Sequence, residues 1–264
     1  MIFMTDFSTH AVLLRKIEYG DHDFIISFLT ESRGKISVIA KNAKKSIKRF
    51  TGALDLFSLN KIHCIYPKKN KNALIILSRA DLEDGFIHIR SNVMKTAYAG
   101  FWVEIIHFWL EERKEQTNIF DLLKMSIQAL DKGIISNEVL NLYFQIKVMT
   151  LSGFSPGIDH CDVCHKNIDR ISQKSIQFDF QAGRILCHDC QRQRLKYGMV
   201  ISKGTVKQLF WLNNNDIRRA ERIKVSDVAI KEGTRLLEAF IPFHIGREFK
   251  SIQFIKKVRQ KITA

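Results

Sequence analysis

The sequence predicts an α+β protein in which a small N-terminal β-barrel precedes a mainly α-helical domain with an inserted four-cysteine ribbon. Three patterns predict this fold. Residues 1–85 consist of short β-branched and aromatic runs, the section after them repeats its apolar residues with a helical period, and four cysteines form two Cys-x-x-Cys pairs. We therefore expect one domain at residues 1–85 and a second at 86–264, with the ribbon at 158–193.

Five runs predict the strands of the barrel, and turn-forming residues such as Gly20 and Gly34 separate them. The predicted strands cover residues 9–17, 24–30, 35–40, 54–66 and 73–82. Five strands without a helix of ordinary length are typical of a closed five-stranded OB-fold barrel, and a small SH3-like barrel is the alternative.

The helical pattern begins after the barrel. Three helices are predicted at residues 92–112, 117–130 and 137–151. Beyond the cysteines, Ser202 is placed to cap a helix that ends near Leu212, and a short basic helix is expected at 216–224. Another helix should open at Ser226 and stop at Pro242.

The cysteine pairs predict a metal site made of Cys161, Cys164, Cys187 and Cys190. The spacer of 22 residues between the pairs carries a hairpin signal, with an alternating run at 175–180 and a turn ending at Gly183. Four soft thiolates favour zinc, and a complete sulfur cage leaves no open position for a substrate. We expect one structural Zn²⁺ per chain, with the histidines at 160, 165 and 188 as neighbours rather than ligands.

The net charge of +15 predicts a polyanionic partner, and nucleic acid is the commonest one. The charge is concentrated at the two ends of the chain, since residues 1–90 carry net +6, residues 91–157 net −1 and residues 158–264 net +10. We found no phosphate-binding glycine loop, nucleophile elbow or metalloprotease motif, so we expect no enzymatic activity.

The strongest basic run lies between the third and fourth predicted strands, where five cations occur in ten residues. Such a loop can follow a phosphate backbone, and Phe50 or Phe57 could stack on a base unless both belong to the core. A helical turn after the ribbon adds three arginines, and a last cluster at 250–261 is explained equally well as a solvated tail. The candidate DNA-binding residues are Lys35, Lys41, Lys44, Lys45, Lys48, Arg49, Lys68, Lys69, Lys71, Arg218, Arg219 and Arg222.

The remaining features concern location. The apolar runs are too short for a membrane span, and the first residues lack the features of a secretory signal. Five cysteines, four of them arranged as metal ligands, fit a reducing cytoplasm, with Cys64 as a buried apolar residue.

The order of several segments resembles the bacterial RecO family of recombination mediators. Those segments are residues 9–15, 19–23, 29–35, 40–46, Arg49-Phe50 with Leu54, the helix at 98–104, Phe154-Ser155-Pro156, and 244–251. The chain departs from the family pattern at Asn42, where glycine is more usual, and at Asp55-Leu56, where Gln-Pro is usual.

The resemblance implies a non-enzymatic protein of DNA repair that binds single- and double-stranded DNA and anneals complementary strands. It implies that the protein works with RecR to load RecA, an indirect partner, onto DNA covered by single-strand-binding protein, whose acidic C-terminal tail it contacts. It also implies a cytoplasmic, nucleoid-associated location. Two other classes compete with this interpretation. An RNA-binding OB-fold and zinc-ribbon protein is the alternative, because charge does not separate DNA from RNA. A zinc-dependent nucleic-acid enzyme would need an open metal position, which a full sulfur cage does not provide.

Overall fold

The computed structural model describes residues 6–46, 48–67, 73–191 and 197–263. Contacts divide the chain into two compact units. The first runs to Asp131 and also takes in the chain from Gln253 onwards, and the second covers Lys132–Ile252. The sequence pattern changes near residue 85, where the barrel ends, whereas the first compact unit continues through the three helices that follow.

In the described part of the first unit, five strands close into a barrel in the order β1-β2-β3-β5-β4, which confirms the predicted OB-type architecture. They are β1 Asp6–Tyr19, β2 Asp23–Thr30, β3 Gly34–Ala40, β4 Leu59–Ile65 and β5 Ile75–Asp84. Alternate side chains point inwards and form an apolar core that includes Leu13, Phe28, Val38, Ile62 and Leu77.

The fourth strand starts later than predicted, at Leu59 rather than residue 54. Leu54 and Phe57 are buried, but Phe57 has a left-handed φ of 72° and its backbone N–H donates to the carbonyl of Leu13. These residues therefore close the barrel as a loop, because a residue with positive φ cannot continue a strand.

Three helices follow the barrel in the first unit: α1 Ile87–Arg90, α2 Val93–Trp109 and α3 Thr117–Lys132. The connection from α2 to α3 docks on β3. There the N–H of Arg113 donates to the carbonyl of Lys35 (2.8 Å), and Ser37 donates to Glu112. Within the described residues, two residue pairs join β3 to β5, and the connection from α2 to α3 satisfies backbone groups at the opposite end of β3.

The second unit combines helices with a small sheet of order β6-β8-β7-β9. Its elements are α4 Asn137–Leu151, β6 Gly157–Cys161, β7 Ser175–Asp179, β8 Arg184–Leu186, β9 Gly198–Ser202, α5 Lys203–Asn214, α6 Ile217–Ala220 and α7 Asp227–Ile245. The hydroxyls of Ser136, Ser202 and Ser226 accept hydrogen bonds from backbone N–H groups in the first turns of α4, α5 and α7. The sequence predicts the caps at Ser202 and Ser226, and for α4 it leaves Ser136 and Asn137 as alternatives.

Two helix predictions are wrong in extent. The helix α7 does not stop at Pro242 but continues to Ile245, because Phe240 and Ile241 are buried and Gly246 provides a left-handed C-cap. The basic helix expected at 216–224 is only the single turn α6.

The chain ends in α8 Lys250–Thr263, which buries Ile255 and Val258 and is therefore a packed helix rather than a solvated tail. Among the residues described, no helix is both long enough and apolar enough to cross a membrane.

Candidate metal centre and nucleic-acid interface

The ribbon brings Cys161, Cys164, Cys187 and Cys190 together at one end of its sheet. The first pair lies at and after the end of β6, and the second pair follows β8, which forms the predicted hairpin with β7 around Gly183. All four sulfur atoms lie within 4.8 Å of one another, and the Sγ atoms of Cys164 and Cys187 are 3.7 Å apart. Tetrahedral zinc with bonds of about 2.3 Å places its sulfurs about 3.8 Å apart, so the cluster has the dimensions of a zinc site.

Backbone groups prepare one of these sulfurs to be a thiolate. Burial opposes the ionisation of Cys161, but N–H groups of Cys164, Cys187 and Val163 directed at its sulfur outweigh burial and lower its pKa to about 6. The N–H of Cys187 lies 3.4 Å from this sulfur. Such N–H···S contacts disperse the charge that a metal-bound thiolate carries.

The other thiols show why the cluster favours a cation. Burial raises the pKa of Cys187, and the neighbouring Cys187 sulfur is the main cause that raises the pKa of Cys190 to about 12. Four crowded thiols therefore cannot all ionise by themselves, whereas a divalent cation would displace the protons.

The histidines beside the cysteines stay outside this cluster, which contains cysteines alone among the described residues. The Nδ1 atom of His160 lies 3.0 Å from a carboxylate oxygen of Asp159, and the His160 ring packs 5.8 Å from that of His165. The donor set is thus four soft sulfurs, which suits a closed structural site.

The basic loop, residues 41–49, follows β3, and Ile47 within it lies outside the described residues. Asn42 has a left-handed φ of 54°, which asparagine tolerates better than most residues, and its N–H donates to the Asp23 carboxylate (2.8 Å). This turn occurs where glycine is more usual in the family that the sequence resembles, so the backbone path does not require glycine.

The cations of the basic loop have different surroundings. The guanidinium of Arg49 donates to the carbonyl of Lys41 (2.6 Å) and to the hydroxyl of Ser46 (3.1 Å), so Arg49 holds the ends of the loop together. The ammonium of Lys44 pairs with Glu18 at 2.7 Å, and this lowers the pKa of Glu18.

The other three lysines of the loop point to solvent. Lys41, Lys45 and Lys48 are exposed and have no acidic partner within the described ranges. Each of them can therefore approach a phosphate without first breaking an ion pair.

Lys35 has a different environment. It is only 9% exposed, and its ammonium donates to the carbonyl of His107 (2.6 Å) near the C-terminal end of α2. Burial lowers its pKa, although Glu112 opposes the shift. Because this cation satisfies a helix-end carbonyl, we leave Lys35 out of the DNA surface proposed below.

The remaining candidate cations fall in two places. Lys68, Lys69 and Lys71 lie outside the described residues. Arg218, Arg219 and Arg222 are exposed at and after α6, and the guanidinium of Arg219 donates to the side chain of Asn215 (3.1 Å). These arginines belong to the second unit, whereas the basic loop belongs to the first.

The structure decides between the two roles considered for the aromatic residues near the basic loop. Phe50 and Phe57 are each 5% exposed, so both belong to the core. Phe24 is the aromatic residue that sequence reasoning missed: it is partly buried, and the ammonium groups of Lys16 and Lys44 lie 5.1 Å and 5.7 Å from the centre of its ring. The available sequence signal was its place at the start of the second predicted strand, and the structure sets it opposite Ala40 at the end of β3.

Comparison with known proteins identifies the family. The model of the recombination protein O N-terminal domain matches residues 4–86, and that of the recombination protein O C-terminal domain matches residues 90–253. The chain belongs to the RecO family of DNA repair proteins. Two relatives called DNA repair protein RecO come from Desulfatibacillum aliphaticivorans, 42% identical over 98% of this chain and 99% of the relative, and from Desulfosudis oleivorans, 36% identical over 97% and 99%.

More distant members of the RecO family align over a similar length. The DNA repair protein RecO of Syntrophus aciditrophicus is 28% identical over 96% of each chain. The two family models cover the barrel, the helices and the ribbon, but the C-terminal model ends at residue 253 and leaves most of α8 outside.

Proposed function

We propose that this protein is a non-enzymatic recombination mediator of DNA repair. In this role it binds single- and double-stranded DNA, anneals complementary strands and, with RecR, helps to load RecA onto DNA covered by single-strand-binding protein. The observation that carries the DNA-binding part of the proposal is the basic loop, which presents Lys41, Lys45 and Lys48 without acidic partners among the residues that the structure describes.

Annealing follows from the physics of such a surface. Two DNA strands repel each other, and a protein with net charge +15 reduces that repulsion and releases condensed counterions. Lysines bind phosphates and leave the base edges free to pair, so we expect weak sequence preference and steep salt dependence.

The partners are proposed from membership of the RecO family. RecR, the acidic C-terminal tail of single-strand-binding protein and, indirectly, RecA are the expected protein partners, and the exposed arginines at 218, 219 and 222 offer cations for an acidic tail or a DNA backbone. We place the protein in the cytoplasm at the nucleoid. The proposed Zn²⁺ at the four cysteines holds the ribbon together and contributes folding free energy rather than catalysis.

The test compares two triple variants with the same loss of charge. Lys41→Ala/Lys45→Ala/Lys48→Ala removes the unpaired cations of the basic loop. Lys132→Ala/Lys174→Ala/Lys231→Ala removes three exposed lysines elsewhere as the matched control.

The measurements are single-stranded DNA affinity and annealing of complementary oligonucleotides across a salt series. Each lost phosphate contact lowers the slope of log K against log salt by about 0.7, so the loop variant should lose about 2 and the control variant should keep its slope. Equal losses in both variants would show that net charge alone acts and would contradict the role of the loop. Tighter binding to RNA than to DNA of the same length would favour the RNA-binding alternative.

A further inference from the structure

The C-terminal helix α8 is a packed element whose charge has one sign. Its 14 residues, Lys250–Thr263, include five cations and no acidic residue. Ile255 and Val258 are buried, and the guanidinium of Arg259 lies over the Tyr98 ring (5.6 Å) and donates to its hydroxyl (3.2 Å). The helix is thus fixed on the barrel unit by one face.

The opposite face combines lysines with an aromatic ring. Lys256, Lys257 and Lys261 are exposed and have no acidic partner in the described ranges, and Phe254 is 46% exposed. Phe254, Lys257 and Lys261 are spaced by three and four residues, so they lie along one side of the helix. A hollow of about 340 Å³ opens there, and its described lining includes Phe254 and Val258 with the stems of Lys257 and Lys261.

We propose that the exposed side of α8 is a second binding site for single-stranded DNA. Phe254, Lys257 and Lys261 form its central line, and Lys256 lies about 100° further round the helix from Lys257 and widens the basic surface. The lysines contact phosphates, and the exposed ring of Phe254 beside the hollow receives an unpaired base. Charge complementarity favours a nucleic-acid strand, because lysines that form no ion pair within the described residues repel one another until a polyanion covers them. An exposed aromatic ring beside lysines is also an arrangement on which bases stack without sequence preference.

A second site gives the proposed annealing activity a physical route. A protein that binds one DNA strand depends on a collision with the complementary strand in solution. A protein with two sites holds both strands, so that pairing becomes a reaction at high effective concentration. This inference rests on the proposed function, since it assigns one strand to the basic loop and the other to α8.

The first test measures bridging of two non-complementary oligonucleotides that carry a donor and an acceptor dye. The full-length protein at limiting concentration should bring the two dyes together, with sedimentation used to establish that one protomer is present in the complex. Lys256→Ala/Lys257→Ala/Lys261→Ala should abolish bridging and slow annealing while the affinity for the first strand changes less than about twofold. Three phosphate contacts account for a roughly 20-fold loss of affinity between 50 and 200 mM salt, and this salt sensitivity of the second binding step should disappear.

Charge-preserving and aromatic variants separate contact from folding. Lys256→Arg/Lys257→Arg/Lys261→Arg should keep bridging. Phe254→Trp should show emission that the second oligonucleotide quenches and that an abasic oligonucleotide leaves unchanged, whereas Phe254→Ala should weaken only the second step.

The outcomes distinguish this inference from the proposed function. A protein that neither binds nor anneals DNA contradicts both. Normal annealing and bridging by the folded lysine-to-alanine α8 variant overturns the second site alone, and so does binding of an acidic peptide to α8 that oligonucleotides fail to displace.

Discussion

Substitution of Gly34 by alanine tests whether the connection between α2 and α3 docks on β3. Gly34 begins β3 with a φ of 63°, and a Cβ built there would lie 1.8 Å from the carbonyl oxygen of Lys114. Ordinary contacts are longer than about 3.4 Å, so the connection between α2 and α3 would have to move away from β3. Gly20 is the matched control, because its φ is 56° and a Cβ there would meet nothing within 4 Å.

The expected magnitudes follow from these contacts. Gly20→Ala should lower the free energy of unfolding by about 1 kcal/mol, because alanine is strained in the left-handed backbone conformation. Gly34→Ala should have the same backbone strain. It should also break the hydrogen bond from Arg113 to Lys35 and that from Ser37 to Glu112, each of which contributes about 1 kcal/mol to the free energy of unfolding. The expected loss is therefore about 3 kcal/mol, a large fraction of the stability of an ordinary domain.

The assay is urea unfolding followed by tryptophan fluorescence. Trp102 and Trp109 lie in α2 of the first unit and Trp211 lies in the second, so a Trp211→Phe background restricts the signal to the barrel unit. Faster hydrogen exchange at residues 111–117 in Gly34→Ala should accompany the loss. If the two alanine variants differ by less than about 0.5 kcal/mol, the docking of this connection on β3 is refuted.

Two further predictions concern the second unit. The Cys161→Ser/Cys187→Ser variant should lose its bound metal and show faster hydrogen exchange across residues 157–191, because the metal contributes folding free energy to the ribbon. The control variant Cys64→Ala, in the barrel, should keep the metal. Stoichiometric zinc in the double variant would contradict the ligand assignment. The second prediction concerns Glu232, which accepts hydrogen bonds from the N–H of Ser202 (2.9 Å) and from the hydroxyl of Thr205 (2.5 Å). Burial opposes the ionisation of Glu232, but these hydrogen bonds outweigh burial and hold its pKa below the usual value. Because the folded-state pKa is depressed, its contribution is complete above the ordinary glutamate pKa of about 4.3 and is lost as the pH falls through the folded-state value. Glu232→Gln should therefore cost about 1 kcal/mol of unfolding free energy at pH 6 and nothing at the lowest pH, and a gap that does not change with pH would contradict this origin.

Local features were predictable because their signals lie within a few residues. Alternation of apolar side chains determined which segments form the barrel strands, and serine before an apolar run determined where α4, α5 and α7 begin. The spacing of the cysteines likewise determined which sulfurs can share one ion, because only two residues separate the cysteines of each pair and keep their sulfurs close together.

Features that depend on distant contacts were not predictable in the same way. Lys35 belongs to a basic sequence yet is buried against the end of α2, 72 residues further on. The helix α7 continues past Pro242 because the burial of Phe240 and Ile241 compensates for a lost backbone hydrogen bond. The local sequence does not indicate that these two residues are buried.

The sequence by itself determined the charge of this protein, the strand pattern of its barrel and the four sulfurs of its ribbon, because composition and short-range spacing are sufficient for each. Only the tertiary structure decided which cations are free. It pairs Lys44 with Glu18, assigns Arg49 to the backbone of its own loop, and leaves lysines exposed on the basic loop and on α8. The physical reason is that a cation is available to a phosphate only when no carbonyl or carboxylate within hydrogen-bonding distance already satisfies it, and folding brings those groups together from distant parts of the chain.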